Sequence, residues 1–405
     1  MKNDFFNQND EQEKTMKYKK ENLTLRYSTV QFTYWAASTG ATSFATIYLL
    51  ERGLSSGIIG ILLAVSGILS CLIQPFLASA ADRAEKVILI PLQVLISVLC
   101  IAGYAAQLLG ELPVLAAGMI YVATLCCSDA MVPLLNAMSV AYNQAGYEIN
   151  YGAARGVGAL ASAFAALALG NVFAHLGKLW MILFLLLFRF ISLLLMASFP
   201  KIKKQRAELE KEETSCSIWY FFSHYRWYCA SLLAVLFLGM YHAMTENYMI
   251  AIMQRLGGNS SHVGTAIFVA GLTSAPVIFF YGTIRKQCGD AVWMKTAAIS
   301  FLIKSVGFYL APNIYTIYAL QLLQITSYGL LGPAQVYYAK DKVKSCDMVK
   351  GQAFITAAYA LGCSMGNFAG GQLLNQGVGT MLLAGIVMAF LGTVLMFLTV
   401  NKKDR

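Results

Sequence analysis

Between residues 28 and 400 the chain repeats one pattern, an apolar run of bilayer length followed by a polar break. Twelve such runs fall at approximately 28–50, 57–80, 87–109, 112–140, 152–174, 178–199, 227–252, 262–283, 291–311, 314–338, 352–375 and 378–400. A helix needs roughly 20 apolar residues to cross the hydrocarbon. Lipid supplies no hydrogen-bond partners, so a spanning segment must satisfy its own backbone. The expected fold is an all-α membrane protein with twelve transmembrane helices. Composition agrees: 12% of the residues are charged, against about 25% in soluble domains.

The net charge of +10 follows the bilayer and is no sign of nucleic-acid binding. Basic residues gather in the first 26 positions, in alternate loops (Arg83/Lys86, Lys201–Arg226, Arg285/Lys286/Lys295, Lys340–Lys350) and at the end of the chain. The opposite loops hold only Arg52, Lys178 and Arg255. This bias places both termini in the cytoplasm, with a cell-membrane location. Residues 1–26 lack the apolar core of a cleavable leader and read as a disordered tail. The cysteines form no CxxC pair, and neither a metal nor a cofactor is expected.

The only long polar break, "PKIKKQRAELEKEETSCSIWYFFSHYR" (200–226), separates six runs from six. The expected organisation is a tail (1–26), a six-helix bundle (27–199), a linker (200–226), a second bundle (227–400) and a short tail (401–405). The halves echo each other. Pro75 and Pro276 lie 201 positions apart, Pro133 and Pro333 lie 200 apart, and "NYGAAR" (150–155) corresponds to "VKGQAF" (349–354). Duplicated six-helix halves around a central path are the architecture of many solute carriers.

The loop "QPFLASAADRAEK" (74–86) resembles the G-x-x-x-D-R-x-G-R/K loop of the major facilitator superfamily, with Ala78 and Glu85 where glycines are usual. The stretches "FTYWAASTGATSFATIYLLERGLSSGIIG" (32–60), "VPLLNAMSVAYNQAGYEINYGAARGVG" (132–158) and "WYCASLLAVLFLGMYHAMTENY" (227–248) are similar to the subgroup of lactose permease and bacterial phenylpropionate permease. The resemblance implies alternating access to a central site and a gating role for Asp82 and Arg83. It implies contact with the solute for Arg155, and it puts Lys304 where the subgroup carries arginine. This chain also departs from the pattern. Asn136 stands where lactose permease has its sugar-binding glutamate, and Ser162 where it has a stacking tryptophan. Gln324 and Ser327 replace a histidine and the proton-carrying glutamate.

Charges in hydrocarbon are expensive and usually face a protein interior or a water-filled path. Five lie well inside the runs: Asp129, Arg155, Arg189, Glu246 and Lys304. Asp129 and Asn136, seven apart, share a helix face and are expected to line the central cavity. Asn136 and Arg155 are expected to converge on the solute, with Asp129, Lys304 and Gln324 completing the binding set. His242 and Glu246, one turn apart, form a proton-exchange pair. Since Asp129 has Arg155 or Arg189 as a possible cation, Glu246 is expected to carry the proton, His242 to relay it and Asp129 to organise the site. Arg189 reads as a packing cation.

The expected function is secondary active transport, with proton-coupled uptake of a small polar solute, sugar-like or nucleoside-like. A proton antiporter for drugs or metabolites and an importer of an aromatic carboxylic acid are the alternatives. A transport-dead receptor would have lost its intramembrane charges, and no nucleotide-binding loop is present. The expected partners are the solute, protons and the bilayer, with the chain a monomer and no enzyme.

Overall fold

The computed structural model describes residues 22–83, 89–109, 112–200, 202, 218–344 and 347–400. It is all-α; an isolated bridge between Asn22 and Glu148 is the one extended pairing among the described residues. Twelve spans follow in order. Span 1 is Thr24–Ser43 continued by Ala45–Glu51, span 2 Ser56–Arg83, span 3 Leu89–Ala106, span 4 Val114–Gln144, span 5 Tyr151–Leu176 and span 6 Lys178–Ala197. After a short helix, Ile218–His224, span 7 is Arg226–Glu246 continued by Met249–Arg255. Span 8 is Ser260–Cys288 and span 9 Asp290–Leu310. Span 10 is Ile314–Gln321 plus Tyr328–Lys342, span 11 Met348–Leu374 and span 12 Val378–Thr399.

Nine of these helices, among the described residues, are individually long and apolar enough to cross a membrane. Span 10 falls short because it is interrupted, the first helix of span 1 because its Thr, Ser, Tyr and Gln residues make it too polar, and span 11 because glycines and Asn367 dilute it. The first helix begins at Thr24 and span 7 at Arg226, so both bundles start slightly before the expected boundaries.

Local sequence explains the helix ends. The Asn150, Asn259 and Asn313 side chains accept backbone N–H bonds at the starts of spans 5, 8 and 10. Each satisfies a donor that the first turn leaves free. Gly177 and Gly377, 200 positions apart, open spans 6 and 12 with φ of 81° and 125°, a region costly for side chains with a Cβ. The paired prolines lie inside spans 2, 4, 8 and 10.

The halves meet along spans 2 and 11 and along spans 5 and 8. Call the end where span 1 begins the inner end. Toward the outer end the contacts are backbone to backbone. A Cβ on Gly264 would lie 2.4 Å from the Ala166 carbonyl oxygen, and one on Gly371 would lie 2.5 Å from that of Ser56. Ser56 donates to Asn375 (2.7 Å), Gln372 to the Gly57 carbonyl (3.1 Å) and Ser261 to Asn171 (2.7 Å). Toward the inner end the halves part. Leu72, Phe76, Phe279 and Phe280 are exposed, and an apolar cavity of about 340 Å³ opens among Cys71, Leu72, Leu233, Leu236 and Leu361.

Candidate functional site

The break in span 10 positions the centre. The helix stops at Gln321, turns through a 3₁₀ segment at Leu322–Gln324 and restarts at Tyr328. Gln321, Gln324 and Ser327, three apart, are all buried and face the inward side of spans 7 and 9. Irregular backbone at membrane depth survives only where protein or a cavity encloses it, and it often marks a binding site.

At this break the Lys304 ammonium donates to Gln324 Oε1 (2.7 Å) and to Glu246 Oε1 (3.2 Å). The Lys304 side chain is 1% exposed and that of Glu246 is 20% exposed. The pair is thus wetted from one side only. His242 Nε2 lies 3.9 Å from Glu246 Oε1 and 3.4 Å from Gln324 Nε2. Its Nδ1 shares a 2.7 Å hydrogen bond with the Tyr359 hydroxyl, and its ring stacks on Tyr328 at 5.0 Å. A buried ion pair persists only when further hydrogen bonds satisfy its remaining valences, and Gln324 does this for Lys304. The expected proton pair, Glu246 and His242, and two residues of the expected binding set, Lys304 and Gln324, form one network.

The opposing wall belongs to the first half. Arg155 lies over the Trp35 ring at 4.1 Å, and the Trp35 indole donates to Gln31 (2.8 Å). Gln31 in turn donates to Tyr27 (2.7 Å). Asn136 accepts from the Tyr151 hydroxyl (3.2 Å), and Tyr151 sits one turn before Arg155 on span 5. The two residues expected to converge share this wall without touching. Arg155 also lies within electrostatic range of Tyr328 in the second half, so the walls face each other.

Two expectations are corrected. Asp129 does not join Asn136 on the cavity wall. It lies among Tyr34, Ser70, Cys100, Tyr104 and Arg189 of its own half, and Gln74 donates to its carbonyl (3.3 Å). Seven residues are about 10 Å along a helix, far enough for one face to meet different neighbours. Second, Glu246 has the close cation, while no cation lies within 4 Å of Asp129 among the described residues. Arg189 sits as the sequence suggested. It is fully buried, donates to Ser128 (2.5 Å) and lies over Tyr34 at 5.0 Å, the packing cation its context suggested. The side chains of residues 78–83 lie outside the described part, and with them the gating expectation for Asp82 and Arg83.

Sequence reasoning missed Tyr359 and Gln321. Gln321 is fully buried, beside Glu246, yet neither amide atom has a hydrogen-bond partner. The signal was present: three polar residues at helical spacing in "QLLQITS", within an otherwise apolar run.

Comparison with known proteins agrees with the fold. The model of the MFS_1 like family matches residues 24–383. The chain is 25% identical over 375 residues to the uncharacterized transporter YwbF of Bacillus subtilis (strain 168), covering 87% of this chain and 88% of that protein. It is 25% identical over 382 residues to the maltose permease of Geobacillus stearothermophilus, covering 89% and 90%. Among solved structures, a variant of the nucleoside transporter NupG superposes with a TM-score of 0.82 at 12% identity, over 94% of this chain and all of that one. A D-xylose-proton symporter superposes at 0.67 and 15% identity, over 94% and 99%.

Proposed function

The chain belongs to the MFS_1 like family, and on that premise we propose that it imports a small polar solute together with protons through the cell membrane. Both termini lie in the cytoplasm, and the chain works as a monomer by alternating access. The maltose, D-xylose and nucleoside named for its relatives make a sugar-like or nucleoside-like ring the favoured cargo. The proposed binding set is Asn136, Arg155, Lys304 and Gln324, with Asp129 bracing the first half from inside. Asp82 and Arg83 are proposed to close the inner gate.

The Glu246–Lys304 pair carries this reading. A proton on Glu246 and the ion pair with Lys304 exclude each other. Neutralising Glu246 would leave a buried ammonium with Gln324 alone, and an unpaired buried charge is strongly unfavourable. A solute acceptor that takes Glu246's place on Lys304 removes that penalty. Proton and solute therefore favour each other's binding, and this reciprocity is the thermodynamic content of symport. His242 borders both groups and can pass the proton toward the cavity.

The test is uptake into proteoliposomes under an imposed pH gradient, with labelled xylose, maltose, uridine, glucuronate and nicotinate. Glu246→Gln should abolish uphill accumulation and keep downhill exchange. If Glu246→Gln still concentrates solute while Asp129→Asn does not, the coupling carboxylate is in the first half. If both still concentrate it, coupling through these carboxylates is wrong.

A further inference from the structure

We propose that the solute carries a carboxylate on a small ring, and that Arg155 is the group that holds it. The proposal builds on the transport reading and narrows its cargo. Three cations of the spans, Arg155, Arg189 and Lys304, differ in what they meet. Lys304 is paired with Glu246 at 3.2 Å. Arg189 is sealed in the first half, with Asp129 as its neighbouring carboxylate. Arg155 is left over.

Among the described residues no carboxylate lies within 4 Å of Arg155, and none of its N–H groups reaches a protein acceptor. A guanidinium has five donors in a fixed planar fork. What fixes this one is Trp35, over which it lies at 4.1 Å. A cation–π contact of this kind is attractive and orients the plane while leaving its N–H edge free. Asn136 on span 4 is already engaged by Tyr151. Among the described residues no carboxylate pairs with Arg155, and a planar fork matches a carboxylate with two parallel bonds.

The opposite wall supplies the ring. Tyr328, within range of Arg155, stacks on His242 at 5.0 Å, and Tyr359 lies 6.1 Å from Tyr328. A planar or flat-faced solute anchored on Arg155 by its carboxylate presents its ring to this cluster. Its remaining acceptors then point at Lys304.

Binding to purified full-length protein tests this without requiring transport. Two matched pairs differ in charge and little in shape: nicotinate against nicotinamide, and glucuronate against glucose. Equilibrium binding should show at least one acid binding about tenfold or more tightly than its neutral partner. Arg155→Lys should weaken that acid by about tenfold, the value of lost fork geometry at about 1.4 kcal/mol, and Arg155→Gln should abolish the preference. Thermal unfolding of the ligand-free variants checks that they are folded. A shared preference for nicotinate identifies an aromatic acid, and one for glucuronate a sugar acid. The proposal falls if a neutral member binds as tightly as its acid, if no acid binds, or if folded Arg155→Gln keeps the preference. Failure of the coupling reading appears separately, as uphill transport by Glu246→Gln.

Discussion

Gly264→Ala should bias the protein toward the state open on its outer side. In the present arrangement a Cβ at 264 would stand 2.4 Å from the Ala166 carbonyl oxygen and 2.9 Å from Gly170 Cα. Both are backbone atoms of span 5, so no side-chain rotation relieves the overlap. Restoring ordinary contact at about 3.4 Å means moving spans 5 and 8 apart by roughly 1 Å, in a packed core that tolerates such overpacking at about 1–3 kcal/mol. The alternate state, with its outer seal parted, avoids most of this cost. A bias of about 2 kcal/mol changes the ratio of the two states about 30-fold. The assay is reaction of Ala174→Cys, which lines a cavity of about 270 Å³ between the halves at the outer seal, with a membrane-impermeant maleimide added outside. Labelling should accelerate more than tenfold in the Gly264→Ala background. Gly282→Ala, where an added methyl meets nothing within 4 Å, should leave it unchanged. Equal rates in all three backgrounds would refute the seal geometry.

Two further outcomes follow from the same coordinates. At the inner end of the second half, Arg285 binds Asp290 through two contacts (3.1 and 2.5 Å) and Asp341 through one (3.1 Å). Asp290 is 2% exposed and also accepts from Tyr281 (2.7 Å), whereas Asp341 is 54% exposed. Asp290→Asn should therefore lower thermal stability by about 1–3 kcal/mol and Asp341→Asn by at most about 1 kcal/mol; equal losses in unfolding scans would contradict the assignment. Gln321→Leu keeps volume but removes the amide beside Glu246, a group able to donate to a carboxylate or accept from a carboxylic acid. The amide is unpartnered in the present state, so the loss falls on the one hydrogen bond, of about 1 kcal/mol, that it is placed to make when Glu246 changes protonation: gradient-driven accumulation should fall about fivefold with exchange intact, and undiminished accumulation would remove Gln321 from the coupling network.

The sequence alone determined the class of fold. Twelve bilayer-length apolar runs, an alternating basic bias and prolines repeated at an offset of about 200 leave little room for anything but two six-helix bundles, because lipid forbids unsatisfied backbone and the pattern is local. The sequence also singled out the charges within the spans, since a charged residue in hydrocarbon stands out without any knowledge of its neighbours. It could not pair them. Helical periodicity put Asp129 and Asn136 on one face, but a face meets different helices at different depths, and only packing showed Asp129 turned into its own bundle. The choice of Lys304 as the partner of Glu246, across spans 7 and 9, depends on how six helices are arranged in space, as does the 3₁₀ break that brings Gln321 and Gln324 to them. That Arg155 is unpaired among the described residues is likewise a tertiary fact. A charge is uncompensated only relative to every group that could have reached it, and that set is fixed by the fold.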